Sequence, residues 1–341
     1  MTDPRKPAHH APDGTYRIPW SLEVADERGG GGLLRWQWER LTTKQAPNPK
    51  PGQLPLATPD VARPRAEGGE VRVTWVGHAT FLVQMGGLNL LTDPVWSLRA
   101  SPTQWMGPKR FVPPGVDFDD LPPIDAVLLS HDHYDHLDEP TVRRLRDRFG
   151  EGLRWVTPLG YRDWLAARGA RSVAELDWWE ETELEGGNSG SVRVVCAPAQ
   201  HWTRRTLREL NTRLWASFAL HSGDGRRLYF GGDSGYFAGY RDLGARLGPF
   251  DAALMPVGAY EPRWFMRPAH MNPEEAVRAY GDLGGRGALV AMHWGTFRLT
   301  DEDPLEPPVR LREAWRAAGH PPGDLHVLRH GETLVVRDAS R

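Results

Sequence analysis

Cysteine is almost missing from this 341-residue chain. Cys196 stands alone, so no intrachain disulfide can form and a zinc cage built from thiolates is excluded; within its apolar run it reads as a small buried hydrophobe. Long apolar runs are missing too. No uninterrupted stretch reaches the roughly 18 residues of a membrane-spanning helix. Residues 1–14 carry no apolar segment of the kind a secretory signal needs, so a cytoplasmic location is expected. An excess of either charge is also absent. With 42 basic and 44 acidic side chains the net charge is −2, which lacks the basic footprint of a nucleic-acid binder. A chain that is 40% apolar and 25% charged is globular, not fibrous or disordered.

What is present is unevenly distributed. Residues 1–69 hold 10 of the 30 prolines and 8 of the 37 glycines. This start reads as a Pro/Gly-rich extension, distinct from a folded domain over residues 70–341. Gly29–Gly32 reads as a flexible joint, and Leu33–Leu41 as a short helix with Leu34, Trp38 and Leu41 on one side. The pair His9-His10 has no ligand-type neighbour in sequence and is not read as a metal site. Fifteen tryptophans leave room for a lipid-facing surface as well as a core.

From Glu70 onward short apolar runs recur, at Val71–Val76, Phe81–Met85, Leu88–Leu91, Ala126–Leu129, Val192–Ala197, Leu228–Phe230, Ala252–Val257 and Ala288–Met292. Each is strand-length and bounded by turn formers. Helices open at Asp138-Glu139-Pro140 and at Asn272-Pro273-Glu274-Glu275, where a cap residue precedes proline, and a third helix spans about Val309–Ala318. Strands in clusters with helices between them predict an α/β fold of four layers, two sheets covered by helices.

One segment concentrates ligand chemistry. Ser130-His131-Asp132-His133-Tyr134-Asp135-His136 follows a buried strand and precedes a helix. Residues two apart in extended backbone share a side, which pairs His131 with His133, and the next turn can carry Asp135 and His136 to a second position. Imidazoles and carboxylates this close suit zinc, iron or manganese. His201, Asp233 and His293 each sit just past the C-terminal end of an apolar strand, the end where α/β sheets assemble their sites.

The spacing His-x-His-x-Asp-His, followed by a lone His, an Asp and a final His, resembles the metallo-β-lactamase superfamily. The resemblance extends to its N-acyl-phosphatidylethanolamine-hydrolysing phospholipase D branch through Trp75-Val76-Gly77-His78-Ala79-Thr80, Leu91-Thr92-Asp93-Pro94, Met106-Gly107-Pro108-Lys109-Arg110-Phe111, Asp177-Trp178-Trp179-Glu180-Glu181, Gly258-Ala259-Tyr260-Glu261-Pro262-Arg263-Trp264-Phe265-Met266 and His293-Trp294-Gly295-Thr296-Phe297. It departs at Ala269, where a polar partner is expected before His270.

That resemblance implies an αββα sandwich and a zinc phosphodiesterase. One zinc would take His131, His133 and His201, the other Asp135, His136 and His293, with Asp233 bridging. Asp135 and Asp233 would thereby take part in catalysis through a metal-bridging hydroxide. Asp93 would orient a ligand histidine or cap a strand end, and His78 would support the site or bond within the core. Tyr134 and His270 would meet the substrate, and Arg204, Arg205 and Arg208 would meet lipid phosphate or solvent. Trp105-Met106 and Trp264-Phe265-Met266 would line an acyl groove or the core. The expected partners are a phospholipid, a membrane surface contacted peripherally and reversibly through Leu33, Leu34, Arg35, Trp36, Trp38 and Arg40, and a second copy in a homodimer. A hydrolase of soluble lactones, thioesters or phosphodiesters is the competing expectation.

Overall fold

The computed structural model describes residues 7–22, 31–67, 69–186 and 190–336. Gly29 and Gly30 of the expected joint lie outside the described residues. All eight strands read from the sequence are present: β1 Val71–Gly77, β2 Thr80–Met85, β3 Leu88–Thr92, β4 Ala126–Leu128, β8 Ser191–Ala197, β10 Arg227–Phe230, β11 Ala252–Pro256 and β12 Ala288–Met292. Six more went unread: β5 Arg154–Pro158, β6 Ser172–Leu176, β7 Glu181–Glu185, β9 Ser217–Ser222, β13 Leu325–His326 and β14 Thr333–Val336. Several of these are edge or half-exposed strands whose alternation is broken by charge, as in the Glu-Thr-Glu-Leu-Glu of β7.

The strands make two seven-stranded sheets, ordered β14-β1-β2-β3-β4-β5-β6 and β13-β12-β11-β10-β9-β8-β7. In each sheet one half is antiparallel and the other parallel, from β3 to β6 and from β10 to β13. The parallel halves require helical crossovers. These are α2 Glu139–Phe149 and α3 Arg162–Ala166 on the first sheet, and α4 Gly239–Leu247, α6 Pro273–Asp282 and α7 Glu306–Ala317 on the second. α2 begins where its proline predicts. α6 carries a complete capping box, with Asn272 accepting from the Glu275 amide and the Glu275 carboxylate from the Asn272 amide. α7 begins three residues earlier than expected, with its two prolines inside the first turn.

Three apolar cores separate four layers. Val73, Phe81, Leu128, Val194, Phe218 and Leu254 join the two sheets face to face. Val127, Trp155, Val142 and Leu145 join the first sheet to α2, while Tyr229, Leu243, Tyr280 and Trp315 join the second to α4, α6 and α7. The architecture is the αββα sandwich.

The described residues before β1 run along this body. Helix α1 Gly32–Thr42 turns Trp36 inward, where its ring stacks on Phe265 at 5.1 Å and its indole N–H donates to Asp301 at 2.6 Å. Phe265 belongs to the one-turn helix α5 Arg263–Met266. Trp264 donates to Glu39, so the Trp264-Phe265 pair holds α1. Further along, the Ala57 amide bonds to the His330 carbonyl, and Arg65 pairs with Asp125.

Candidate metal centre

The site opens at one end of the sandwich, where β1, β3, β4, β8, β10 and β12 finish. Three residues there, His78 (φ 57°), Asp93 (φ 33°) and His293 (φ 64°), hold left-handed backbone immediately after β1, β3 and β12. Among side-chain-bearing residues Asp and His tolerate that region better than most, and sharp reversals of this kind aim strand-end side chains back across the end of the sheet. Glycine permits the closest approaches. A Cβ on Gly232 (φ +55°) would meet Ser130 Cβ at 2.8 Å, and one on Gly258 would meet the His293 carbonyl at 2.1 Å. Asp233 and His293 therefore sit against the histidine loop only because glycine is beside them.

The donors converge as two groups. His131 Nε2 lies 2.9 Å from His133 Nδ1, which lies 3.2 Å from His201 Nε2. In the second group His136 Nε2 lies 3.3 Å from His293 Nε2 and 3.3 Å from Asp135 Oδ2. Between them sits Asp233, whose Oδ2 is 3.1 Å from His293, 3.3 Å from His136, and 3.9 Å from both His131 and His201. Its other oxygen is buried without a partner. A tetrahedral cation with nitrogen ligands at about 2.0–2.1 Å would space those ligands roughly 3.3 Å apart.

Outward hydrogen bonds turn the right atoms inward. His136 Nδ1 donates to Asp93 at 2.6 Å, and His201 Nδ1 donates to the Ala269 carbonyl at 3.0 Å. Each leaves its Nε2 facing the centre, the tautomer that metal ligation needs. The absent polar side chain at position 269 is thus replaced by backbone. Asp93 also accepts from the Ser130 amide and hydroxyl at 2.7 and 2.6 Å, and that hydroxyl reaches His131 Nδ1 at 2.9 Å. Asp93 thereby touches the loop that carries four of the donors. Burial pushes its carboxyl up, against the pull of His136 and Ser130.

The centre's electrostatics call for positive charge. Burial opposes ionising Asp233, yet His136 and His293 outweigh it and hold the carboxyl well below its ordinary range. Conversely, burial disfavours charge on His293 and His136, yet the carboxylates prevail, Asp233 first, raising His293 to about 9 and His136 well above the ordinary value. His133 and His201, mainly through burial, fall to about 4 and about 3. A divalent cation in each group would supply the compensating charge directly, so five imidazoles and two carboxylates in this arrangement fit metal ions.

The remaining expected residues separate. His78 is buried, its Nε2 2.8 Å from Asp135 Oδ2 and its amide on Thr296 Oγ1 at 2.7 Å, so it holds a donor in place. His270 faces the centre, its Nδ1 3.8 Å from Asp233 and without a partner. Tyr134 turns elsewhere: its hydroxyl donates to the Arg205 carbonyl at 3.0 Å and its ring lies 4.3 Å beneath the Arg205 guanidinium. Trp105 and Met106 are exposed, not core.

Sequence reasoning missed the residues that brace the loop. Arg205, read beside Arg204 and Arg208 as a phosphate or solvent residue, is buried. It donates to the carbonyls of Asp132 and Leu137 at 2.9 and 2.8 Å, clamping both ends of the segment that bears His133, Asp135 and His136. Asp132 points away from the metal centre and takes Arg213 and the Arg204 amide, both at 3.0 Å. The alternation that pairs His131 with His133 already places Asp132 on the opposite side.

Known proteins agree with this geometry. A family profile described as a beta-lactamase superfamily domain matches residues 88–294. Over 247 residues the chain is 44% identical to the N-acyl-phosphatidylethanolamine-hydrolyzing phospholipase D 1 of Caenorhabditis elegans, covering 70% of this chain and 68% of that protein. The mitochondrial N-acyl-phosphatidylethanolamine-hydrolyzing phospholipase D of Saccharomyces cerevisiae is 34% identical over 243 residues, 70% of this chain and 50% of that protein. A metallo hydrolase from Ignicoccus hospitalis shares the fold with a TM-score of 0.58 at 20% identity, covering 79% of this chain and 99% of that one. The chain belongs to the beta-lactamase superfamily and is one of its metal-dependent hydrolases.

Proposed function

We propose that this hydrolase cleaves the phosphodiester of N-acyl-phosphatidylethanolamine, releasing an N-acylethanolamine and phosphatidic acid, with two zinc ions. The observation that carries the dinuclear reading is Asp233 Oδ2, which lies within 3.9 Å of histidine nitrogens from both donor groups. One ion would be held by His131, His133 and His201, the other by Asp135, His136 and His293, with Asp233 between them. When bound, such a pair supplies a nucleophilic oxygen at neutral pH and neutralises charge building on the phosphoryl group.

The chain's own residues then orient and bind. Asp93 fixes the His136 ring, and His78 fixes Asp135. His270 presents an unpartnered ring nitrogen beside Asp233, in reach of a phosphodiester oxygen seated there. The substrate assignment rests on the two phospholipase D relatives, and the surface supports a lipid. Among the described residues thirteen large apolar side chains are exposed. Nine of them lie on just three segments: Leu33, Leu34, Trp38 and Leu41 on α1, then Leu98, Trp105 and Met106, then Leu207 and Leu210. The second segment follows Asp93 in the chain, the third follows His201, and α1 packs on the Trp264-Phe265 pair just before His270. Exposed apolar side chains on segments that adjoin the donor loops in the chain suit peripheral, reversible contact with a bilayer. No helix among the described residues is long and apolar enough to cross one.

Purified, metal-analysed protein incubated with a mixed lipid extract tests this reading by mass spectrometry. The expected result is N-acylethanolamine and phosphatidic acid in equal amounts, lost on chelation, from protein whose main centre holds two zinc ions. Turnover of soluble lactones, thioesters or bis-aryl phosphates with the lipids untouched would assign the centre to another substrate. Asp233→Asn keeps the shape but not the charge, and is expected to cost one ion and orders of magnitude in rate.

A further inference from the structure

The pair His9-His10, without any ligand-type neighbour in sequence, acquires one in space. His9 Nε2 lies 2.6 Å from Asp177 Oδ1 and His10 Nε2 lies 2.7 Å from Asp177 Oδ2, so two imidazoles face the two oxygens of one carboxylate. Neither ring is placed by that contact alone. His9 stacks on Trp178 at 4.3 Å, and His10 meets Tyr16 edge-on at 5.2 Å. Asp177 is fixed as well, because Oδ1 accepts from the Trp178 amide at 2.8 Å and its own amide donates to Glu180. The surroundings are acidic. Burial first, then the charges of Asp177 and Glu175, push the Tyr16 hydroxyl up. A cleft of about 510 Å³, lined in part by His9, Trp20, Trp178 and Arg246, opens beside His9 and admits water.

We infer that His9, His10 and Asp177 form a second metal site, separate from the main centre, that holds one zinc-type divalent cation. Two imidazole nitrogens and a carboxylate are borderline ligands of the kind zinc takes, and water from the adjoining cleft would complete four-coordination. The three donors already lie within 4.8 Å of one another. The cation would clip the N-terminal segment to the turn between β6 and β7, residues 168 positions apart in sequence. That clip has reach. Trp20, at the other end of the same segment, stacks on Phe237 at 4.5 Å and donates to Gln200 at 2.8 Å. Gln200 precedes His201, donates through its side chain to the Tyr236 and Pro268 carbonyls, and donates through its backbone amide to the Ser234 hydroxyl oxygen. A fixed strap thus buttresses three loops next to the donors of the main centre.

The test compares full-length wild type with His9→Gln/His10→Gln and with Asp177→Asn, each saturated with Zn²⁺, desalted and measured by mass spectrometry of the metal. Wild type is expected to carry one ion per chain more than either variant. Deuterium uptake by residues 7–22 is expected to rise in both variants and in chelated wild type. The difference between proteins decides, so the result stands whatever the main centre holds. Equal metal in all three would overturn the proposal and leave a hydrogen-bonded His–Asp–His contact; so would unchanged deuterium uptake on chelation of the wild type.

Discussion

The donor bowl and the exposed apolar segments that adjoin its loops in the chain, here the rim, follow opposite rules. In the bowl polar groups hold one another in place: Asp93 serves His136 and Ser130, Ala269 serves His201, and His78 serves Asp135. On the rim large apolar side chains stand in water, with Trp105 75% and Leu207 88% exposed. A bowl of paired charges cannot lose one member without leaving another uncompensated in a low-dielectric interior. A rim residue is mostly exposed, so its loss should change folding stability little. Chemistry should therefore fail steeply on one side of this boundary and gently on the other.

The steepest failure is expected at His136, which touches Asp93, Asp135, Asp233 and His293 together. His136→Ala should reduce turnover at least about 10³-fold and remove roughly one ion per chain, as read by steady-state rates and elemental analysis. Near-normal rate with full metal would break the division between bowl and rim. One step out, Asp93→Ala strips His136 and Ser130 of their acceptor and should weaken metal affinity or activity about 10- to 100-fold. Asp93→Asn should do less harm. Asparagine tolerates the left-handed backbone at φ 33° and keeps an acceptor for the Ser130 amide. Identical losses in the two variants would show that the carboxylate charge, not the backbone or the acceptor to Ser130, is what matters there.

How much of this was legible depends on where the information lies. The donors are local in sequence or sit at the ends of apolar runs, so His131, His133, Asp135, His136, His201, Asp233 and His293 are all found by pattern, and the structure brings all seven together. Eight of the ten interior strands were legible for the same reason. What stayed hidden is the partner of each group. Nothing near Arg205 in sequence says that its guanidinium will meet carbonyls some 70 positions away, and three adjacent arginines read more simply as surface charge. His9-His10 fails in the same way, because Asp177 is remote. Exposure is also illegible: Trp36 and Trp38 look alike in sequence, yet one is buried against Phe265 and the other is 69% exposed. Arg205→Leu tests the hidden bracing. Losing two charge-assisted bonds worth about 1.5–3 kcal/mol each should lower the thermal midpoint by several degrees and the rate about tenfold. Arg205→Lys should restore part of each, and a variant with unchanged midpoint and rate would deny the clamp.

The mildest effect on chemistry, and the most selective, is expected on the rim. Deleting residues 1–41 cannot isolate it, because the deletion also removes Trp20 from Gln200 and Trp36 from Asp301, both buttresses of the body. Arg35 and Arg40 are poor probes for a related reason. Arg40 lies 3.3 Å from Asp301, and Arg35 bonds to Glu39 and lies 4.0 Å over Trp264, so replacing either would also disturb contacts with the body. The clean substitution is Leu34→Ser, Trp38→Ser and Leu41→Ser together, three side chains that are 76%, 69% and 83% exposed. Exposed positions of this kind change stability by roughly ±0.5 kcal/mol each, so the thermal midpoint should hold nearly still. Hydrolysis of a short soluble phosphodiester should likewise be unchanged, since the donors are untouched. Hydrolysis of the same bond in vesicles should fall several-fold, together with co-sedimentation, because about 25 cal/mol per Å² of apolar contact with the bilayer is lost. Equal loss on both substrates would mean that α1 acts on the bowl and not on the membrane, and no loss on either would leave the other two rim segments to make the contact.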